Sequence, residues 1–187
     1  MPAKNVQVDG AALNAPIATA RLRIEPLGAR HAALLFDGMQ DPAIYRWISM
    51  RRSPSVAHQA ERWARVERDV LAVDGVFELG WAVQRIEDGA WIGKLDATVL
   101  VDGVATNVGY FFLPPFWGRG YASEAVAALS GHLARHGVIE QRATVTLGND
   151  ASCRVLEHAG FARGRVLPGN DTLRGALVDD IEYVRRD

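Results

Sequence analysis

The segment Trp117-Gly118-Arg119-Gly120-Tyr121 has the residue types of an anion-binding turn. It follows an apolar strand pattern that stops at Pro114-Pro115, and it runs directly into a helical pattern. The first amides of a helix have no partners within the helix, and the helix dipole places partial positive charge there. Glycines leave such amides open to a phosphate. Taken alone, the two glycines would also suit an ordinary strand-to-helix turn.

A dinucleotide-binding turn is the rival interpretation of the same residues. Gly118-x-Gly120-x-x-Ser123 nearly matches that fingerprint, and Glu140 follows about twenty residues later. The fingerprint belongs to a parallel βαβ unit, whereas the strand here follows two predicted antiparallel hairpins. The acid should also end the next strand, but Glu140 precedes it. We therefore disfavour a dinucleotide site.

A second group of chemistry-bearing residues lies in and near two later predicted helices. Asn149 and Ser152 could contact a ligand, or they could simply cap the helix that begins there. Cys153 is the only cysteine, which excludes an intrachain disulfide and a cysteine-based zinc site. No histidine is placed to activate it, so it is expected to be a small helix residue. His132 and His136 could share a metal, but no third ligand is evident, and we predict no metal site.

Hydrophobic periodicity and turn signals predict seven strands and several helices. The predicted strands are 21–25, 77–84, 91–101, 105–113, 142–147, 161–166 and 177–184, and the predicted helices are 30–39, a start at Asp41-Pro42, a long helix from Val56 through Val70 to near Gly75, 121–136 and 149–158. Asp102-Gly103 between apolar runs indicates a hairpin, so the three middle strands should form an antiparallel meander. The fold class is therefore α/β, with one mixed, mostly antiparallel seven-stranded sheet and helices on both faces.

Composition limits the domain count and the partners. The 187 residues are 49% hydrophobic and 23% charged, with a net charge of -1, which suits one globular domain. Residues 1–18 show no clear period and are expected to form a flexible arm before a single domain over 19–187. No basic excess indicates nucleic acid, and no apolar run approaches the roughly 18 residues of a membrane span. One cysteine and a poor signal peptide favour the cytoplasm.

Two long motifs identify a family. Trp117 to Ala125 reads Trp-Gly-Arg-Gly-Tyr-Ala-Ser-Glu-Ala, and Asn149 to Phe161 carries Asn-x-x-Ser followed by Leu-Glu-His-Ala-Gly-Phe. Together with Ala20 to Ile24 and Trp91-Ile92-Gly93, they resemble the GCN5-related N-acetyltransferase (GNAT) superfamily. The resemblance is closest to the Rim-type branch, which acetylates the N-termini of ribosomal proteins. It covers roughly residues 19 to 185.

The resemblance implies an acyl-CoA N-acyltransferase fold and a set of roles. Acetyl-CoA would be the co-substrate, and its acetyl group would pass directly, in a ternary complex, to a primary amine on a protein N-terminus or a small molecule. The expected cofactor-binding residues are Phe111, Phe112, Leu113, Trp117, Gly118, Arg119, Gly120, Tyr121, Ala122, Asn149 and Ser152. A freed amide near Phe111 or Phe112 would polarise the thioester carbonyl. Asn149 would reach the pantetheine, and Ser152 would assist the leaving thiolate, so Ser152, Asn149 and Phe112 are the expected catalytic residues.

One departure from the family pattern concerns the general base. Relatives often carry Glu where this chain has Asn107. Asp96 on the middle strand is a candidate replacement, with a solvent-facing position as the alternative. An α-amine, with a pKa near 8, needs less help than a lysine. The same departure leaves open a catalytically weak acyl-CoA-binding regulator.

Two further questions stay open at this point. Trp47 and Trp81 are candidates for the acceptor pocket, with core packing as the alternative. Some relatives pair through their sheets, so the resemblance also leaves a homodimer open.

Overall fold

A computed structural model describes residues 8–68 and 74–186. The helices are α1 (Gly10–Leu13), α2 (His31–Leu35), α3 (Val56–Arg68), α4 (Tyr121–Arg135) and α5 (Asp150–His158), and the strands are β1 (Ile17–Ala18), β2 (Leu22–Pro26), β3 (Val76–Arg85), β4 (Trp91–Leu100), β5 (Val104–Phe112), β6 (Glu140–Thr146), β7 (Ala162–Leu173) and β8 (Ala176–Arg186). Short 3-10 helices cover Gly38–Gln40, Pro42–Arg46 and Pro114–Phe116.

The sheet confirms the predicted fold class with one extra strand. Its order is β1-β2-β3-β4-β5-β6-β8-β7, and the β5–β6 pair is the parallel one. The eighth strand, β1, pairs with β2 at only Ile17 and Ala18, too short a segment to show alternation. Two apolar clusters cover opposite faces: one includes residues of α4 and α5, and the other residues of α2 and α3.

The segment before β2 differs from the expected flexible arm over residues 1–18. Within it, Asp9 caps α1 by accepting from Ala11 N at 2.9 Å. Leu13 is fully buried, and its carbonyl accepts from His132 Nε2 of α4 at 2.8 Å. A few apolar residues at irregular spacing close the α4 side of the core, which periodicity cannot detect. Residues 1–7 lie outside the described residues.

Two element boundaries differ from expectation for local reasons. The helix predicted over 30–39 ends at Leu35, and the chain continues into the 3-10 helix at Gly38, where a Cβ would lie 2.5 Å from a Leu113 methyl. β7 is longer than the predicted 161–166, since it passes through Pro168 and Gly169. An edge strand with register shifts tolerates Pro and Gly that would end a central strand. Val70, expected in the long helix, lies outside the described residues.

The strands β5 and β6 diverge, and this divergence creates the site. In the described chain they pair only at Val104↔Glu140 and Ala105↔Gln141. Beyond these pairs β5 follows β4 as far as Phe112, while β6 follows β8 as far as Thr146. The two parallel strands are therefore open toward their carboxyl ends.

Truncation of the core beneath α4 should destabilise the domain. Leu129 is fully buried on α4, so Leu129→Ala is expected to lower the free energy of unfolding by about 2–5 kcal/mol through lost transfer energy and a cavity. Leu177→Ala is the matched control, because Leu177 is 74% exposed, and it should change stability by less than about 0.5 kcal/mol. Urea denaturation of both variants measures the difference. Equal effects would contradict the core assignment.

Candidate active site

A cavity of 710 Å³ lies where β5 and β6 diverge. One wall is β5 from Asn107 to Phe112, and another is β6 from Ala143 to Thr146. The start of α4 and the start of α5 contribute further residues, and the segment around Trp47 closes the remaining side. The cavity therefore joins the predicted anion-binding turn to the Asn149–Ser152 motif.

The turn before α4 presents unpaired backbone donors. Gly118 and Gly120 have φ of +71° and +77°, the left-handed region that favours glycine. Gly120 caps α4 without any side-chain hydrogen bond. Among the residues that the structure describes, no protein acceptor pairs with the amides of residues 118–123. This turn has the donors and the dipole that bind phosphates at helix N-termini.

Arg21 clamps the turn, a role that the sequence analysis did not assign. Its Nη1 donates to Arg119 O at 3.0 Å, and its Nε donates to Glu124 Oε2 at 2.6 Å. Its guanidinium also lies 4.7 Å from the centre of the Tyr121 ring. Burial would raise the pKa of Glu124, but hydrogen bonds from Thr19 and Arg21 outweigh it and hold that pKa below its usual value. The only sequence signal was that Arg21 falls in a family-like stretch.

The backbone of Phe112 faces the gap between β5 and β6. Leu113 N donates to Ile92 O at 2.8 Å, which directs Leu113 toward β4. Amides alternate in direction along a strand, so the Phe112 amide points to the β6 side and the Phe111 amide points to β4. The neighbouring Phe112 carbonyl accepts from Trp117 Nε1 at 2.6 Å. Of the two amides named in the sequence analysis, that of Phe112 is the one directed away from β4.

Tyr110 connects β5 to the Asn149–Ser152 motif. Its hydroxyl lies 2.6 Å from Ser152 Oγ. Burial raises the pKa of Tyr110 to about 12. Asn149 Oδ1 accepts from Ser152 N at 3.3 Å, so Asn149 does cap α5, and it also lines the cavity. Sequence analysis missed Tyr110, although it shares a strand face with Phe112.

Asp96 lines the cavity, and its side chain is also 36% exposed. Its Oδ1 pairs with Lys94 Nζ at 2.5 Å, and its Oδ2 accepts from Asn107 Nδ2 at 3.2 Å. The residue at the family's usual Glu position is therefore hydrogen-bonded to the nearest carboxylate. Within the described ranges, Asp96 and its two partners form one polar group on the β4–β5 wall.

The other tryptophan, cysteine and histidine residues considered as site candidates lie in different surroundings. Trp47 lines the cavity, whereas Trp81 is fully buried, with its Nε1 donating to Ala15 O at 3.2 Å. Cys153 is a buried free thiol. His132 and His136 are linked through His136 Nδ1 and the His132 carbonyl at 2.9 Å. Across residues 8–68 and 74–186, no three acidic, His or Cys side chains cluster as a metal site, and no helix is long and apolar enough to cross a membrane.

Comparison with known structures shows the same fold in several acetyltransferases. A RimL ribosomal L7/L12 alpha-N-protein acetyltransferase in complex with coenzyme A is 16% identical, with a TM-score of 0.79 over 91% of this chain and 97% of that one. Mycobacterium smegmatis RimJ is 19% identical, with a TM-score of 0.78 over 91% and 85%. The ribosomal-protein-S5-alanine acetyltransferase of Vibrio fischeri is 15% identical, with a TM-score of 0.76 over 91% and 96%.

The comparison with family models is decisive. Residues 21–162 match the acetyltransferase (GNAT) domain, which is more than half of the chain. The search of curated proteins gave no match. The matched range contains the turn before α4, the diverging strands and the Asn149–Ser152 motif. The chain therefore belongs to the GNAT family and is an acetyl-CoA-dependent N-acetyltransferase.

Proposed function

We propose that this enzyme transfers the acetyl group directly to a primary amine within a ternary complex, and that the α-amine of a protein N-terminus is its leading acceptor. The observation that carries the proposal is the common cavity: the unpaired amides before α4, the Phe112 amide and the Tyr110–Ser152 pair all border it. The RimL and RimJ structures with the same fold support a Rim-type acceptor.

The turn before α4 fits the pyrophosphate of coenzyme A. The amides of Gly118 to Ala122 would donate to its oxygens, and the absence of Cβ atoms at Gly118 and Gly120 leaves room for close approach. Arg119 adds an exposed positive charge beside them. The Arg21–Glu124 clamp fixes the turn, so little ordering is needed when the anion binds.

The diverging strands fit the reactive end of the co-substrate. Acetyl-CoA supplies a thioester, whose carbonyl the Phe112 amide would polarise in the gap between β5 and β6. As the amine nitrogen bonds to the carbonyl carbon, the carbon–sulfur bond breaks. Ser152 Oγ would donate a proton to the leaving sulfur, and Tyr110 would return one from solvent. Asn149 would position the pantetheine beside α5.

The acceptor amine must lose a proton before it can attack, and this requirement favours an α-amine as the acceptor. Asp96 is the candidate base, but Lys94 and Asn107 already engage both of its oxygens. Either oxygen would have to exchange its present partner before it could accept a proton from the amine. An α-amine with a pKa near 8 is partly neutral at physiological pH, so it needs less help than a lysine. The same arrangement supports the second candidate function, a catalytically weak acyl-CoA-binding regulator.

A thiol-release assay across an amine panel separates the two functions. With acetyl-CoA, hexapeptides bearing a free α-amine should release coenzyme A faster than lysine side-chain, polyamine or aminoglycoside acceptors. The same peptides with blocked N-termini serve as controls and should be inactive. Tight acetyl-CoA binding without turnover on any amine would support the regulator instead.

The charge at the turn before α4 should decide co-substrate affinity. Gly120→Asp places a carboxylate where phosphates dock, and calorimetry should show acetyl-CoA affinity reduced by about tenfold or more. Gly120→Asn is the matched control, because Asn has the same size and tolerates the left-handed backbone without the charge. The Asp variant should bind more weakly than the Asn variant. Equal affinity of the two folded variants would refute the placement of the pyrophosphate.

The Tyr110–Ser152 pair should act as a proton donor over a wide pH range. Because the pKa of Tyr110 is about 12, the phenol stays protonated through the neutral range, and kcat should not decline through its ionisation below about pH 10. Ser152→Ala should lower kcat by about 100-fold and Tyr110→Phe by about tenfold, with acetyl-CoA affinity unchanged. Tyr183→Phe, a buried tyrosine outside the cavity, is the control. Unchanged kcat in both cavity variants would remove the pair from the mechanism.

A further inference from the structure

We propose that the carboxylate of Asp180 binds the acceptor amine, with its Oδ1 accepting a hydrogen bond from the amine nitrogen. The inference rests on the proposed function and deepens it, since it assigns a residue to recognition of the acceptor. Asp180 lies on β8 and lines the cavity between the diverging strands. No family motif named above includes it.

Asp180 is a buried carboxylate, and one of its two oxygens has no hydrogen-bond partner in the part of the chain that the structure describes. The residue is 3% exposed. Its Oδ2 accepts from Asn170 Nδ2 at 2.8 Å, but its Oδ1 is buried and has no hydrogen-bond partner within the described residues. A buried carboxylate oxygen without a donor is unfavourable, because it has lost its water and gained nothing in exchange. A ligand that brings N–H donors into the cavity would remove that penalty.

The sheet holds Asp180 at the open end of the gap. It pairs across the sheet with Thr146, the last residue of β6, and Thr146 also lines the cavity. On its other side it pairs with Leu167 of β7. The register of β7 then shifts, which leaves Asn170 free to reach back to the carboxylate. Asp180 is therefore fixed on both sides at a position that lines the cavity.

The side-chain partner of Asp180 differs from that of Asp96, and the difference favours a cationic or N–H-donating ligand at Asp180. Asp96, another carboxylate on the wall, is paired with Lys94. Asp180, by contrast, accepts a side-chain hydrogen bond from the neutral Asn170 among the described residues. A primary amine offers N–H donors both as an ammonium and after it loses a proton. Asp180 can therefore hold the acceptor nitrogen before and during its attack on the thioester carbonyl.

The test compares two single-charge changes on adjacent residues of β8. Asp180→Asn keeps the size of the side chain and an oxygen for Asn170, but it removes the negative charge. Asp179→Asn is the control: Asp179 is exposed, and the variant keeps an oxygen for its hydrogen bond from Gly169 N. The probe is a hexapeptide amide with a free N-terminal serine, assayed by thiol release at saturating acetyl-CoA, and spermine replaces it if only polyamines turn over.

Asp180→Asn should raise the acceptor KM about tenfold or more. The affinity for acetyl-CoA should not change, and the melting temperature should stay the same or rise. Asp179→Asn should match the native enzyme in each measurement. An unchanged acceptor KM in Asp180→Asn, or a lowered melting temperature with native KM, would overturn the proposal in favour of a structural role or a buried water. Failure of the native enzyme to acetylate any amine would instead refute the proposed function, so the two failures are distinguishable.

Discussion

Unsatisfied backbone donors at the start of α4 are the interaction on which the rest of the site depends. A helix always begins with amides that lack intrahelical partners, and most helices cover them with a side-chain cap. Here Gly120 caps α4 in a left-handed conformation and offers no side chain, so the amides stay open. Arg21, which directly precedes β2, holds the turn by donating to the Arg119 carbonyl and to Glu124 of α4. Under the proposed function, the bound pyrophosphate would offset the cost of leaving these donors open.

The sheet supplies the second constraint, because it fixes where the proposed acetyl-transfer site lies relative to the turn before α4. The parallel strands β5 and β6 separate after two residue pairs, while β4 continues to pair with β5 and β8 with β6. Strand alternation then turns the Phe112 amide into the gap. Tyr110, two residues earlier on the same strand face, meets Ser152 from α5 at 2.6 Å. One strand would therefore align the two groups that we propose to polarise the carbonyl and to donate the proton.

Much of the fold followed from the sequence, because long elements carry strong periodicity. The meander, α4, β6 and α5 are within a few residues of expectation, as are the turns at Asp102-Gly103 and Gly120. The sequence did not predict β1, the packing of Leu13 or the extension of β7 through Pro168. All three depend on tertiary contacts that the local sequence pattern does not encode. The same holds within the site. The motif residues Gly118, Gly120 and Ser152 could be named in advance. Arg21, Tyr110 and Asp180 could not, because each is placed by a partner outside its own local pattern: Glu124 is 103 residues from Arg21, Ser152 is 42 from Tyr110, and Asn170 is 10 from Asp180.

The most direct test of this account is a titration of the ¹⁵N-labelled protein with acetyl-CoA, followed by amide chemical shifts. The account predicts that the largest shifts occur at Gly118, Gly120 and Tyr121, with a separate large shift at Phe112 in the gap between β5 and β6. Saturable binding that leaves these four amides unchanged while others shift would contradict it.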